Sequence, residues 1–597
     1  MHFTLAHNSC ISKTQVDVHP REANPLAAAL TGCGRRPEQT ARWQERGVSM
    51  SAESNRRDFL KKAGLLTLAA PVAAAIDSCS SVATSAKAST LRVGWAIEPD
   101  TINPLTTYST EGVEVLQLIY DNLIQYGINL KPEPGLATSW AHSPDGKTIT
   151  YHLRPAKWHD GKPFTSADAK FTFDLIKSEQ VSQYAQWVTD LASTDAPDSK
   201  TLVLHFSKAQ AFNPGLAMPI LPQHIWQGMS ASEIQRYTNP HPVGTGPYKF
   251  VNWKHGQSIE IARNDNWWGQ TPAAKKITWI LFQNEDVLAQ GLRTGAVDFM
   301  PKIPPTIFAG LAGAQNVKTV SMPSFSFHHI GINVSDNPKS GGNPLLKDRT
   351  VRLALSYAVD RKQLVDVALA GKGIPGSVIL PKGFGEWHLD IPEAEQFNAN
   401  PAKAKALLDA AGYIDRAGSG VRTSKDGKPL SFRLIAIADT SVDVAAAQLF
   451  KNACAKVGIQ LHLTTLDVNT LGSTVYNAKA PNWDIFVWGW DSGVYDPDYL
   501  LGVPLCSQIG ANNDVYYCDH RYDQLYNEQA TEVDHARRLA LVHEAQRHYY
   551  DAAAYIIMWY QDQLQGYRTD TWKGWTPITG GMIENFTRGN YLRVQPV

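Results

Sequence analysis

The sequence predicts an α/β protein built from more than one domain. Two observations carry that reading. At 597 residues the chain is well past the length at which a single hydrophobic core stops growing, and strand-like and helix-like segments alternate along it without an internal repeat. Apolar residues make up 43% of the chain, enough to fill two cores, while Lys plus Arg (56) balance Asp plus Glu (56). A protein that grips phosphates needs a surplus of Lys and Arg, so no nucleic-acid partner is expected. Seventeen tryptophans suit either large aromatic cores or the lining of a ligand cleft.

The elements follow in order. Residues 1–49 lack clear periodicity and are set aside as an upstream extension; Met50 is the expected start. Residues 50–79 are similar to a twin-arginine export signal: Asn55-Arg-Arg-Asp-Phe-Leu-Lys61 precedes an apolar run from Ala63 to Ile76. That run is too short to span a bilayer, which takes about 20 residues. Cys79 follows it as the expected lipidation site, as in bacterial lipoproteins, although Asp77 departs from the lipobox and Ala86-Lys-Ala88 is a competing cleavage site. A small polar tether, 80–90, comes next.

Leu91–Trp95 reads as a strand and Gly112–Tyr126 as a helix. Thr148–Leu153 and Lys200–Phe206 read as strands, and Ser166 as the cap of a helix between them. Tyr248–Val251 and Ser258–Ala262 form a hairpin around Lys254-His-Gly-Gln257. An apolar stripe of Val351, Ala354, Leu355 and Ala358 marks a helix, in a helical region that closes at Gly371. Asn400-Pro401 caps another, which runs to Ala411 and ends at Gly412. Cys454 shares a helical stripe with Phe450, Ala453 and Val457 and is expected as a small buried hydrophobe.

Several motifs of enzymes fail on context. Gly371-Lys-Gly-Ile-Pro-Gly376 fits a dinucleotide-binding pattern, but it follows a helix and Pro375 removes a phosphate donor, so a turn is expected. His543 and His548 are five apart and point to different helix faces. His328 and His329 are neighbours in a strand and must face opposite sides. Trp158-His-Asp-Gly161 is expected to be a turn with Trp158 packed beneath it. No Gly-x-Ser-x-Gly elbow occurs. Of the six cysteines, Cys506 and Cys518 flank a loop and favour a disulfide in an exported protein. Zinc is the alternative, without a second pair or a His at ligand spacing to support it. No metal and no cofactor is expected.

Two blocks carry a resemblance. Gly135-Leu-Ala-Thr-Ser-Trp140, Ser143-Pro-Asp-Gly146, Leu153-Arg154 and Trp158-His-Asp-Gly-Lys-Pro-Phe-Thr165 form the first, and Pro242-Val-Gly-Thr-Gly-Pro-Tyr248, Trp253 and Asn266-Trp-Trp-Gly269 the second. In order and spacing they resemble the extracellular solute-binding proteins of family 5, the peptide- and nickel-binding proteins of bacterial ABC importers. The resemblance covers 91–597. It implies a two-lobed periplasmic-binding-protein fold (type II, large cluster C-like) with a hinge and an interlobe cleft. Lobe I would comprise 91–318 and 565–597, and lobe II 319–564.

It also implies a monomeric binding protein and not an enzyme, exported and held at the membrane by its lipid. Such a protein delivers its solute to an ABC permease with its ATPase subunits. Peptides are the expected ligand, oligopeptides before dipeptides; oligosaccharides are the alternative, and a glycoside hydrolase using the carboxylates of Asp491–Asp498 a remote one. Expected ligand contacts are Thr106, Tyr108, Ser109 and Glu111 from lobe I and Trp488, Trp490, Asp491, Tyr495 and Asp496 from lobe II. Gly493 stands where peptide binders carry an Asp for the α-ammonium group, and Ala438–Asp443 lacks the Arg with which dipeptide binders hold a carboxylate. The Cys506–Cys518 pair matches a disulfide of the dipeptide binders.

Overall fold

A twelve-stranded mixed sheet organises the computed structural model, which describes residues 89–597 except 181, 439 and 584–586. The expected export signal, Cys79 and most of the tether lie outside the described residues. In chain order the strands are β1 (Thr90–Trp95), β2 (Tyr248–Lys254), β3 (Ser258–Arg263), β4 (Lys276–Leu281), β5 (Phe299–Met300), β6 (Val317–Pro323), β7 (Ser326–Ile332), β8 (Gly373–Pro375), β9 (Ser431–Ile437), β10 (Gln460–Leu466), β11 (Ile485–Asp491) and β12 (Tyr555–Arg568). Across the sheet they run β10-β9-β11-β7-β12-β5-β1-β4-β3-β2, with β6 and β8 also paired to β12.

β12 divides the sheet into two halves. Its first residues pair with β7 (Tyr555 with Gly331, Trp559 with His328) and its last with β6 (Asp562 with Pro323, Arg568 with Val317). The two halves are the centres of the two lobes. In the first lobe a separate four-stranded antiparallel sheet packs beside the main one, in the order Ala137–His142, Thr148–Leu153, Thr201–Phe206, Leu191–Asp198. The helices that matter for the site are α1 (Thr110–Ile119), α2 (Glu285–Thr294), α3 (Ser441–Ala455), α4 (His520–Thr531) and α5 (His535–Ala552). No helix among the described residues is long and apolar enough to cross a membrane.

β11 explains how one strand serves two cores. Side chains alternate across a strand, and here Ile485 and Val487 join a core with Phe432, Leu434 and Phe450, while Phe486, Trp488 and Trp490 join another with Tyr522, Tyr549 and Tyr555. Cys454 is buried in the first of these. Val351, Ala354, Leu355 and Ala358 are buried together there, and Asn400 caps Pro401–Ala410 by accepting from the Lys403 N–H at 2.9 Å.

Some expectations need correcting. The helix expected over Gly112–Tyr126 ends at Ile119. The loop 242–248 packs on its end, the Gly246 N–H donates to the Ile119 carbonyl at 2.8 Å, and Ile124–Tyr126 becomes a strand. A Cβ at Gly244 would sit 1.9 Å from that carbonyl oxygen, which is why this loop needs glycine. The helix from Ser166 is capped by Thr165 and not by Ser166: Asp168 accepts from the Thr165 N–H at 2.9 Å, closing a capping box. Gly373–Pro375 is an edge strand on β12 and not only a turn. His520 brings a ring nitrogen within 4.8 Å of the sulfurs of the Cys506–Cys518 disulfide, a neighbour that the linear spacing concealed.

The Trp158–Gly161 turn has no catalytic geometry. His159 Nδ1 accepts from the Gly244 N–H at 3.2 Å while Nε2 lies 3.1 Å from the Gly246 carbonyl, so the ring stitches the two motif blocks together. Burial pushes its pKa down to about 4. Trp158 is buried beneath the turn, edge-on to Phe164. On α5, His543 bonds the Glu386 carbonyl and His548 pairs with Asp519, so the two histidines share no ligand.

Candidate functional site

The seam between the sheet halves borders a cleft of about 420 Å³. One wall comes from the first lobe: Ile97, Glu285 at the start of α2, and Lys302 to Pro305. The other comes from the second: Ser326 and His328 on β7, Thr440 to Asp443 at the start of α3, and Trp488 to Asp491 on β11. Lys372 and Gln561 to Leu564 form the floor along β12. A small side cavity of about 40 Å³ adjoins it, sharing Ile97, Glu285, Lys302 and Gln563 and adding Glu111 and Glu114. The cleft volume lies in the range that small-molecule sites occupy.

Sheet register sets the second wall. Ser326 pairs with Asp491 and His328 with Gly489, so these four residues share a face. The Ser326 hydroxyl donates to Asp491 Oδ1 at 2.9 Å. His328 Nδ1 lies 2.8 Å from Asp443 Oδ1, and the ring stacks on Trp559 at 5.3 Å. Adjacent His329 faces the opposite side, where it is fully buried and stacked on Tyr555; burial pushes its pKa down and keeps it neutral.

Behind this wall sits Asp514, a buried carboxylate that sequence reading did not single out. It accepts from the indole N–H groups of Trp488 (2.8 Å) and Trp490 (3.0 Å) and from the Tyr555 hydroxyl, and His329 Nε2 lies 3.5 Å away. The first lobe repeats the device. Buried Glu114 accepts from Trp95 (3.2 Å), Trp279 (3.1 Å) and the Tyr591 hydroxyl, and burial pushes its pKa up to about 7. Asp121 accepts from Trp268 at 2.8 Å and pairs with Arg588. A buried carboxylate is costly unless its lone pairs are filled, and these tryptophans fill them. Trp95, Trp488 and Trp490, which line the cleft and its side cavity, are therefore anchored from behind.

The expected contact residues divide. Trp488, Trp490 and Asp491 line the cleft, and Glu111 lines the side cavity. Thr106, Tyr108 and Ser109 line neither. Ser109 instead caps α1 and donates to Asp100 at 2.6 Å, and Tyr108 points to solvent at 59% exposure. Tyr495 and Asp496 belong to a second contact between the lobes, in which Tyr495 packs on Phe325. There the Tyr126 hydroxyl donates to the Tyr495 carbonyl at 3.2 Å, and the Ala211 N–H donates to the Ala530 carbonyl at 3.0 Å.

Asp496 is occupied by Arg538 through two bonds of 2.7 and 2.9 Å, inside the second lobe. It does not line the cleft, and its charge is already neutralised, which removes it as a grip for an ammonium group. Asp498 bonds Gln529 instead, and burial next to Asp496 pushes its pKa up to about 6. These carboxylates turn to separate partners, which leaves no acid pair for glycoside hydrolysis. Lys302, Lys372, Glu285, His328 and Asp443 line the cleft without having been expected there.

The comparisons with known proteins agree with this architecture. Residues 131–511 match the family model of bacterial extracellular solute-binding proteins, family 5 Middle. Protein XP55 of Streptomyces lividans is 28% identical over 526 residues, covering 86% of this chain and 90% of that protein. The dipeptide-binding protein of Escherichia coli is 26% identical over 538 residues, covering 84% and 94%. Among solved structures, the oligopeptide-binding protein AppA of Bacillus subtilis, in complex with a nonapeptide, superposes with a TM-score of 0.70 at 23% identity, covering 86% of this chain and 99% of that one. The chain thus belongs to the bacterial extracellular solute-binding proteins of family 5, a family of binding proteins and not of enzymes.

Proposed function

We propose that this protein captures oligopeptides outside the cytoplasm and delivers them to the permease of an ABC importer. The observation that carries the reading is the composition of the cleft. It is large enough for a multi-residue ligand, its polar groups come from both lobes and from the strand between them, and no arginine lines it among the described residues. A dipeptide clamped at both ends has neither an Asp at 493 nor an Arg in Ala438–Asp443 to hold it, whereas a longer chain is held through its backbone at many points. Closure follows from contacts that a ligand makes with both walls at once, since only differential affinity for the closed form shifts the equilibrium.

Oligosaccharides find less support. Trp488 and Trp490 are 8% and 5% exposed and turn their indole N–H groups inward to Asp514, so neither offers an open ring face to a sugar. The reading includes a start at Met50, twin-arginine export, a lipid on Cys79 and a monomeric protein whose lobes part along the seam of β12. Mass spectrometry of co-purified ligand, followed by calorimetry with a dipeptide, a tetrapeptide and a glucose oligomer, tests it. The tetrapeptide is expected to bind most tightly, and binding of the glucose oligomer alone overturns the reading.

A further inference from the structure

We propose that the cleft selects a ligand bearing a cationic donor group, an ammonium or guanidinium, and that His328 is a residue that reads it. The proposal rests on the cleft being the ligand site.

The tautomer of His328 follows from its partner. Asp443 is 1% exposed and its carboxylate can only accept, so the proton of the neutral ring sits on Nδ1 and Nε2 carries a lone pair. Stacking on Trp559 fixes the ring plane. The Nε2 edge lies over Gly489, where an added Cβ would come within 2.7 Å of Nε2 and Cδ2; both residues line the cleft. The missing side chain at 489 is thus what lets the imidazole edge form part of the wall.

Two residues along the same face, the Ser326 hydroxyl spends its proton on Asp491. The β7–β11 wall therefore presents acceptors: an imidazole lone pair and a carboxylate. Among the described residues that line the cleft the acids are Glu285, Asp443, Asp491 and Asp562 and the bases Lys302 and Lys372. The ammonium of Lys372 lies over the Phe308 ring at 4.7 Å and so is partly engaged already. A wall of acceptors inside a surplus of acid favours donors with positive charge and opposes anions.

The test uses three tetrapeptides that differ at one position, Ala-Lys-Ala-Ala, Ala-Gln-Ala-Ala and Ala-Glu-Ala-Ala, titrated into the mature protein by calorimetry. The Lys peptide is expected to bind roughly tenfold or more tightly than the Glu peptide. His328→Phe keeps the stacking and removes the acceptor, and is expected to narrow that gap to about threefold or less, while His328→Gln, which retains an acceptor, keeps more of it. Because His328→Phe leaves Asp443 unpaired and risks the fold, Asp491→Asn is the second variant, expected to narrow the gap in the same way. Equal or tighter binding of the Glu peptide overturns the proposal, as does an equal loss for all three peptides in both variants. If no tetrapeptide binds, the peptide reading fails and agmatine and succinate become the probes in thermal shift. Stabilisation by agmatine alone then upholds the charge selection, and any other result overturns it.

Discussion

Asp491 and Asp496 are five residues apart, yet the structure assigns them opposite consequences. Asp496 and Arg538 form a two-pronged pair whose side chains are 12% and 7% exposed. Asp496→Asn removes the charge and leaves a buried guanidinium, and breaking such a pair costs about 3 to 5 kcal/mol. With a urea m-value of at least about 3 kcal/mol/M, the upper end for small proteins, the unfolding midpoint should fall by up to roughly 1 to 2 M. Ligand affinity should be unaffected, because Asp496 does not line the cleft. Asp491→Asn should do the reverse. Its loss leaves the unfolding free energy within about 0.5 kcal/mol, whereas a hydrogen bond from a charged ligand group is worth about 1.5 to 3 kcal/mol, or roughly 10- to 150-fold in affinity. Urea melts followed by fluorescence and calorimetry with the Lys tetrapeptide separate the two effects. An Asp496→Asn protein that melts like wild type but has lost its ligand would refute the assignment.

Two buried carboxylates and the disulfide give three further expectations. Glu114, pushed up to about 7 by burial, binds its proton more tightly in the fold than in the unfolded chain. Its contribution to stability is therefore complete below about pH 4.5 and is lost as the pH rises through 7, a change of about 3 kcal/mol that thermal melts across pH should register and Glu114→Gln should flatten. Asp514→Ala strands two indole N–H groups and a phenol, each costing about 1 to 3 kcal/mol, and should change the near-UV circular dichroism of Trp488 and Trp490 while lowering the melting temperature. An unchanged spectrum would show that Asp514 does not hold them. Reduction of Cys506–Cys518, which closes a loop of sequence separation 12, should cost about 2 to 4 kcal/mol in urea unfolding, and a reduced protein of equal stability would contradict this.

What was legible in the sequence was whatever local chemistry dictates. Asn400-Pro401 caps its helix because the side-chain acceptor and the fixed proline φ act within one turn, and Val351, Ala354, Leu355 and Ala358 share a core because their spacing is that of one helix face. Thr165 was missed as a cap because Ser166 beside it carries the same hydroxyl, and only the reach of Asp168 separates them. The cleft was half legible. Trp488, Trp490 and Asp491 follow from the end of one strand, but His328, Asp443, Lys302 and Glu285 come from four segments that only the tertiary fold brings together. Asp496 shows the opposite error: an acid in a promising loop whose partner, Arg538, lies 42 residues further along. Neither the pairing nor the tryptophan cages leave a trace in linear spacing.

The passage of β12 through both lobes restricts the motion available to them. At the seam the chain crosses twice, once between Pro323 and Ser326 and once between Gln561 and Asp562, and the two crossings lie side by side as paired backbone. The Ser324 hydroxyl donates to the Gln561 carbonyl across them at 2.5 Å. Such a ribbon flexes readily out of its own plane but resists shear, since sliding would exchange every ladder bond at once. The lobes should therefore turn about one axis, like covers on a spine, with little freedom to twist. Tyr495 packs on Phe325 at 5.4 Å, beside the crossing, so the Tyr126–Tyr495 contact lies close to the spine and moves little when the lobes turn. The parting is then widest at the edges farthest from β12, and a surface that senses whether those edges are shut can tell a loaded protein from an empty one without touching what it carries.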